Sequence, residues 1–410
     1  MNKCFKVVPL VLASVAMLAG CGSDSASNFK AGFILVGDET EGYSEAHING
    51  IKAAAKKLGI PEANLMWKKK VEENEAVTTA GKDLIANGAS LVISNSYGHQ
   101  DYMKDLADSY PDQQFVSMTG DYAAISGASN FKNAFTNIYE ARYVSGIVGG
   151  MKLKELIDAG TITADDAKVG YVGAYSYAEV VSGYTAFFLG VRSIVPTATM
   201  EVIYTNSWFD VTKEANTAET LVNDGCHLIG QHADSTGAPS KCEDMLKAGK
   251  ICYSVGYNVD MRSVAPNAAL TSATNNWEVY YEYAMKSAMN GNVIATDWSK
   301  GYADGAVGIT DLGNQAAKGT DAAVKAAEDA LKAGTLHVFD TSKFTVDGEV
   351  VTSKMFDLSY KDWAKGGDEI YHGNTVETVK KDGDVSYIEE SVARSAPYFD
   401  LRIDGITEKK

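Results

Sequence analysis

The stretches of this chain able to do chemistry are short polar loops that combine an aromatic ring with Asn, Asp or Ser. They include residues 37–45, carrying Tyr43 and Ser44, then Asn95-Ser96-Tyr97-Gly98 and Ala174-Tyr175-Ser176-Tyr177. Further on come Asn206-Ser207-Trp208-Phe209-Asp210, Gln231-His232-Ala233-Asp234-Ser235, Gly256-Tyr257-Asn258-Val259-Asp260 and Asn275-Asn276-Trp277. Flat π-faces with fixed donors and acceptors suit a planar, polar heteroaromatic ligand that stacks on rings and is read along its edge. Asn, Asp, Ser and Gly also favour turns and helix N-caps, so one such loop decides nothing. Aromatic residues in most of them together point to a binding cleft. Rings and amides of this kind also stack on sugars, so a sugar or small signalling molecule stays open as ligand.

Signatures of catalysis are absent. The chain has no G-x-S-x-G elbow, no H-E-x-x-H helix and no G-x-x-x-x-G-K-[ST] phosphate loop. Ser145-Gly146-Ile147-Val148-Gly149-Gly150 falls in a helix-like stretch and makes no dinucleotide fingerprint. Asp38, Glu39 and Glu41 in the first loop would repel a pyrophosphate. His227 and His232 stand at an odd offset, which points them to opposite faces of a strand, unlike a metal pair. His47 and His99 are read as surface or cleft-rim residues. No catalytic residue, metal or cofactor is assigned; a nucleoside hydrolase is the enzyme alternative, and it would need clustered acids.

The loops matter because of where the elements place them. Short apolar strands are expected at 32–36, 65–69, 91–94 and 114–118, alternating with helices at 44–58, 76–87 and 103–110. After a long helix at 139–159 the pattern restarts, with strands at 169–172, 201–205, 227–230 and 251–255 and helices at 179–194, 213–222 and 239–248. Two such arrays predict an α/β protein of two doubly wound parallel-sheet lobes joined by a hinge, with ligand beyond the strands' carboxyl ends. A strand at 270–273 and a helix at 277–289 are expected to return to the first lobe. The expected division is 31–137 with 272–298 for lobe 1 and 138–271 with 299–355 for lobe 2. A helix at 320–333 and strands at 336–339 and 343–351 follow, then a C-terminal extension over 356–410 packed on the second lobe.

The chain has 410 residues and a formal charge of −16, from 37 Lys+Arg against 53 Asp+Glu. That length allows real cores, and the acidity argues against nucleic acid or an anionic lipid surface as partner. At the start, Lys3 and Lys6 precede an uncharged apolar run over 7–18 and then Leu18-Ala19-Gly20-Cys21. This arrangement resembles a bacterial lipoprotein signal. It implies removal of residues 1–20, acylation of Cys21, a tether over 21–30 and a protein anchored on the outer face of the cell membrane. Later cysteines are Cys226, Cys242 and Cys252, an odd set without regular spacing, read as buried free thiols, although Cys226 and Cys252 could face one another.

From about residue 31 to 351 the sequence resembles the basic membrane protein family of lipoproteins, substrate-binding components of ABC transporters that include purine nucleoside receptors. The resemblance is carried by Phe33-Ile34-Leu35-Val36-Gly37 with Gly42-Tyr43-Ser44 and His47, by Ser94-Asn95-Ser96-Tyr97-Gly98 and by Tyr139-Glu140-Ala141-Arg142-Tyr143-Val144-Ser145-Gly146. The Asn206–Asp210 and Gln231–Ser235 loops and Gly301-Tyr302-Ala303-Asp304-Gly305 complete it. It implies a type I periplasmic-binding-protein fold, a purine base or nucleoside as ligand and an ABC permease as partner. Tyr43 and Trp208 would then stack on the ring, with Tyr97 or Trp277 completing the cage. Asp234, Asn95 and Asn258 would read the polar edge beside Ser44 and Ser96, and Asp260 a ribose hydroxyl. Asn258 stands where nucleoside-binding members resemble Gly-x-Asp-x-Asp, a change that removes one purely accepting group from a ribose diol. A ligand sensor for a membrane receptor remains the alternative to transport.

Overall fold

The computed structural model describes residues 26–362 and 368–409; the signal segment and Cys21 lie outside them. Two parallel sheets organise the chain. The first has the order β11-β5-β4-β3-β1-β2. Its strands are β1 (Ala31–Ile34), β2 (Leu65–Lys68), β3 (Leu91–Ser94), β4 (Gln114–Met118), β5 (Phe131–Thr136) and β11 (Asp297–Lys300). The second has the order β12-β10-β9-β8-β6-β7-β19. Its strands are β6 (Lys168–Gly173), β7 (Thr199–Tyr204), β8 (Leu228–Gln231), β9 (Tyr253–Tyr257), β10 (Ala269–Asn275), β12 (Val307–Ile309) and β19 (Ile406–Lys409). Only β12 in these two sheets runs antiparallel, against β10.

Helices cover both faces of each sheet, as parallel strands require. On the first they are α1 (Gly42–Leu58), α2 (Ala76–Ala86), α3 (Gln100–Ser109) and α8 (Trp277–Met289). On the second they are α4 (Ile138–Asp158), α5 (Ala178–Ile194), α6 (Val211–Asn223), α7 (Gly237–Lys247) and α9 (Thr320–Lys332). Helix α1 shows why these residues form this element. Glu41 accepts the amides of Tyr43 and Ser44 at its start, Gly59 ends it in a left-handed conformation at φ 72, and Ile48, Ile51 and Ala55 face the core.

Three expectations are corrected. The strand expected at 270–273 belongs to the second sheet, where β10 lies parallel beside β9 and buries Leu270 and Ala273 in that lobe's core. The chain returns to the first lobe only with α8, whose Trp277, Tyr280 and Tyr281 pack against Ile48 and Ile51. Segments 336–339 and 343–351 form turns rather than strands, joined by the isolated bridges Asp340–Tyr387 and Val346–Glu349. The C-terminal segment packs on both lobes, since Tyr360 joins the core of the first while Ile388, Phe399 and Ile403 join that of the second. Strand β5 was not expected. Its FKNAFT sequence is buried throughout, with no alternation to betray it, and Asn133 is satisfied by the Ala123 amide and the Ser117 carbonyl.

The glycine-containing run at 145–150 lies within α4, where it permits close helix packing. A Cβ on Gly146 would sit 2.1 Å from the Phe187 carbonyl oxygen, and one on Gly190 would sit 2.0 Å from that of Tyr143. Those contacts are backbone and cannot yield without moving α5. Gly146→Ala should therefore lower stability by about 1–3 kcal/mol in urea unfolding. Gly308→Ala, whose Cβ would meet nothing nearer than 3.9 Å, should change it by no more than about 0.5 kcal/mol.

Candidate ligand cleft

The carboxyl ends of both sheets open onto one cavity of about 790 Å³ between the lobes. From the first lobe it is lined by the loop after β1, by Asn95-Ser96-Tyr97 after β3, by Asp121 after β4 and by Phe135 in β5. From the second come Ser176, Tyr177 and Glu179 after β6, Trp208 and Phe209 after β7, His232 and Asp234 after β8, and Tyr257 at the end of β9. The lobes approach closely at Gly42, where a Cβ would lie 3.1 Å from Val259 Cγ2 and 3.3 Å from the Asp234 carbonyl oxygen. Tyr97 and Tyr177 face one another across the gap with ring centroids 6.1 Å apart.

The first-lobe wall is built by Asn95. Its Oδ1 accepts the Val36 amide at 2.8 Å, and its Nδ2 donates to Ser44 Oγ at 3.1 Å, tying strand ends to the start of α1. Tyr43 donates its hydroxyl to the Asn95 carbonyl, which fixes the ring edge and leaves its face to the cavity wall. The second-lobe wall is aromatic. Trp208 packs edge-on against Tyr175 at 5.1 Å and near His232 at 6.5 Å, and His232 lies 5.5 Å from Tyr257. Buried Arg142 braces the back of Tyr257, its guanidinium 3.9 Å from the ring centroid while it donates to Tyr171 Oη and the Gln231 carbonyl.

Electrostatically the cavity is acidic, with six carboxylate side chains against three cations in its lining. Asp234 is buried, and burial together with the facing charges of Glu41, Glu214 and Glu179 pushes its carboxyl well above the usual range. Glu41 is raised as well, mainly by burial. Glu179 stays below its ordinary value, because His232 and Arg142 outweigh the burial that opposes them. His232 is itself lowered, by burial and by Arg142, so the 2.7 Å contact to Glu179 is a neutral imidazole N–H donated to a carboxylate.

Six of the ten residues expected at the site line the cavity: Tyr43, Asn95, Ser96, Tyr97, Trp208 and Asp234. The other four do not. Ser44 is buried behind the wall, accepting the Gly37 amide and the Asn95 side chain. Asn258 stands behind Asp234, donating to its Oδ1 at 2.7 Å and accepting from Asn275 Nδ2 at 3.2 Å. Asp260 is spent on a surface ion pair with Arg262 at 2.6 Å. Trp277 is 1% exposed and stacks on His47 at 4.4 Å inside the first lobe. His47 and His99 are likewise buried rather than on the rim; His47 meets the Tyr281 hydroxyl and His99 the Val71 carbonyl. The three described cysteines are free and buried, with Cys242 beside Cys252, so Cys226 is not the partner of Cys252.

Several lining residues escaped the sequence reading. Tyr257 and His232 stood in loops already singled out, and their positions at strand ends were the available signal. Phe135 was hidden with β5. Arg394, Ala396, Pro397, Asp400 and Arg402 also line the cavity, from a segment with no periodic pattern to announce it.

The comparisons with known proteins decide the family. The Bmp family model, described as ABC transporter substrate-binding protein PnrA-like, matches residues 30–336. The chain belongs to this family. A purine-binding protein of Brucella abortus is 29% identical over 349 residues, covering 83% of this chain and 93% of that one. A putative ABC transporter glucose-binding protein of Haloferax volcanii is 28% identical, covering 67% of this chain and 66% of its own. Among solved structures, a solute-binding protein of an ABC transporter system from Aeropyrum pernix superposes with a TM-score of 0.62 at 14% identity, covering 75% of this chain and 92% of that one. One from Conexibacter woesei gives 0.59 at 18% identity, covering 75% and 98%. The fold is that of two-lobed type I periplasmic solute-binding proteins. This Bmp-family member is thus an extracytoplasmic substrate-binding protein, with a small-molecule ligand and a permease partner. No described helix is long and apolar enough to cross a membrane.

Asn258 offers a test of how the cleft is held. It adopts φ 64, and it supplies a hydrogen bond to buried Asp234. Asn258→Gly should cost about 1–3 kcal/mol for the lost partner. Asn258→Ala should cost about 1 kcal/mol more, because Ala resists the left-handed conformation. Urea unfolding of the two variants measures both terms.

Proposed function

We propose that this protein is a lipid-anchored receptor that holds a purine base or nucleoside between its lobes and delivers it to an ABC permease. The observation that carries this reading is a buried carboxylate, Asp234, set among Trp208, Tyr257 and Tyr43 in one cavity. The rings suit the faces of a fused heterocycle, and the carboxylate suits an edge carrying adjacent N–H donors. A relative named as purine-binding, aligned over most of both chains, supports the same ligand class. The N-terminal run ending in Leu18-Ala19-Gly20-Cys21 supports a lipid anchor at Cys21.

Binding without turnover follows from how the cleft acids are engaged. Glu41 caps α1, Glu179 accepts from His232, and Asp234 is steadied by Asn258. Each carboxylate holds a wall in place, and none is paired with a second group arranged to activate water. Acidic lining further disfavours a phosphate-bearing ligand.

Titration calorimetry against adenine, guanine, adenosine, inosine, ribose and glucose tests the ligand class. Purine compounds should bind in the micromolar range or tighter. Trp208→Ala should weaken them about tenfold or more, equivalent to about 1.4 kcal/mol. Heat from ribose or glucose with none from the purines would contradict the reading. Asp234 adds a pH signature. Its carboxyl is raised in the free protein, so an N–H edge that stabilises the ionised form releases a proton on binding. Affinity should therefore rise with pH until the free carboxyl ionises, and the binding heat should differ between buffers of unlike ionisation enthalpy. Equal heats in such buffers would rule out that coupling.

A further inference from the structure

The family match ends at residue 336, yet one side of the cavity is formed by residues 394–402. The segment that carries them is anchored on both lobes. On the first, the Tyr360 hydroxyl donates to both Asp101 oxygens at 2.9 and 3.1 Å, and its ring stacks on Tyr122 at 4.1 Å. The Ser395 amide donates to Asp297 Oδ1 at 2.8 Å. On the second, buried Glu390 accepts from Ser182 Oγ at 3.1 Å and from the amides of Tyr398 and Phe399. Phe399 stacks on Phe339 at 4.3 Å, and β19 extends the second sheet beside β7. Residues 394–402 are thereby held across the gap between the lobes.

The chemistry of this wall differs from that of the aromatic one. Arg394 Nη1 lies 3.4 Å from Asp121 Oδ2, with both side chains 12% exposed, and its guanidinium rests 4.7 Å from the Phe356 ring centroid. Asp121 Oδ2 also accepts from Tyr97 Oη at 3.3 Å, whereas Oδ1, buried, has no protein donor. A carboxylate oxygen in that position calls for a donor from elsewhere. On the other side, Arg402 donates to Ser176 Oγ at 2.8 Å and pairs with Glu408 at 3.0 Å. The two guanidiniums are thus already neutralised. What they and Asp121 present is alternating donors and acceptors without net positive charge, which matches hydroxyl groups and not phosphate.

We propose that the C-terminal segment completes the ligand site, and that Arg394 and Asp121 together bind the hydroxyls of a sugar attached to the heterocycle. The preferred ligand is then a neutral nucleoside, ahead of the free base and the nucleotide. This rests on the purine reading above. Asn258 does not weigh against it, because that residue lies behind Asp234 instead of lining the cavity.

Calorimetry with adenine, adenosine and adenosine monophosphate on the wild type, Arg394→Gln and Asp121→Asn tests the proposal, with thermal unfolding to confirm that each variant is folded. In the wild type adenosine should bind at least about tenfold tighter than adenine and tighter than the monophosphate. Either variant should weaken adenosine by about tenfold while leaving adenine within about twofold. Should one variant fail to fold, the other supplies the same reading. Equal affinity for adenine and adenosine in the wild type, or equal losses for both in the variants, overturns the sugar assignment alone. Absence of binding by all three compounds removes the purine reading and this inference together.

Discussion

Two carboxylates from different lobes, Glu41 and Asp234, are held out of water where those lobes meet. Like charges in such a place repel, and burial makes each of them costly to ionise. Much of the surrounding structure offsets that cost. Glu41 is turned onto the amides at the start of α1, Asp234 is hydrogen-bonded by Asn258, and Arg142 supplies positive charge from behind Tyr257. A cleft built in this way favours a ligand that brings N–H donors and disfavours one that brings more negative charge.

The parallel sheets explain why these groups converge at all. Loops at the carboxyl ends of β1, β3, β4, β6, β7, β8 and β9 all reach one cavity, because each βα unit delivers its loop to the same edge. Three connections cross between the lobes, from β5 to α4, from β10 to α8 and from β11 to β12. Thr136 Oγ1 and Asn275 Oδ1 are hydrogen-bonded at this junction, so the crossings are joined to one another and form a hinge region. The C-terminal segment then spans the lobes again by a separate route, through Tyr360 and Ser395 on one side and Glu390 and Phe399 on the other.

Regular elements were legible wherever apolar spacing set them. Helices near 139–159, 277–289 and 320–333 match α4, α8 and α9 to within a residue at either end. Strand β5 was invisible because it is buried on every side and carries Lys132 and Asn133, which its neighbours satisfy. Within the cleft, loop chemistry pointed to Tyr43, Asn95, Trp208 and Asp234 but could not separate residues facing the cavity from those behind it. Asn258 and Trp277 share the residue types of a binding site; their roles depend on tertiary contacts with Asp234 and His47. The wall at 394–402 had no local signal, since its position depends on distant anchors such as Asp101 and Asp297.

A crystal structure of the protein with adenosine bound tests the central claim most directly. The account predicts the purine ring between the faces of Tyr43 and Trp208, with its N–H edge within hydrogen-bonding distance of the Asp234 carboxylate. Adenosine lodged elsewhere, or bound in the cleft with no contact to Asp234, would contradict it.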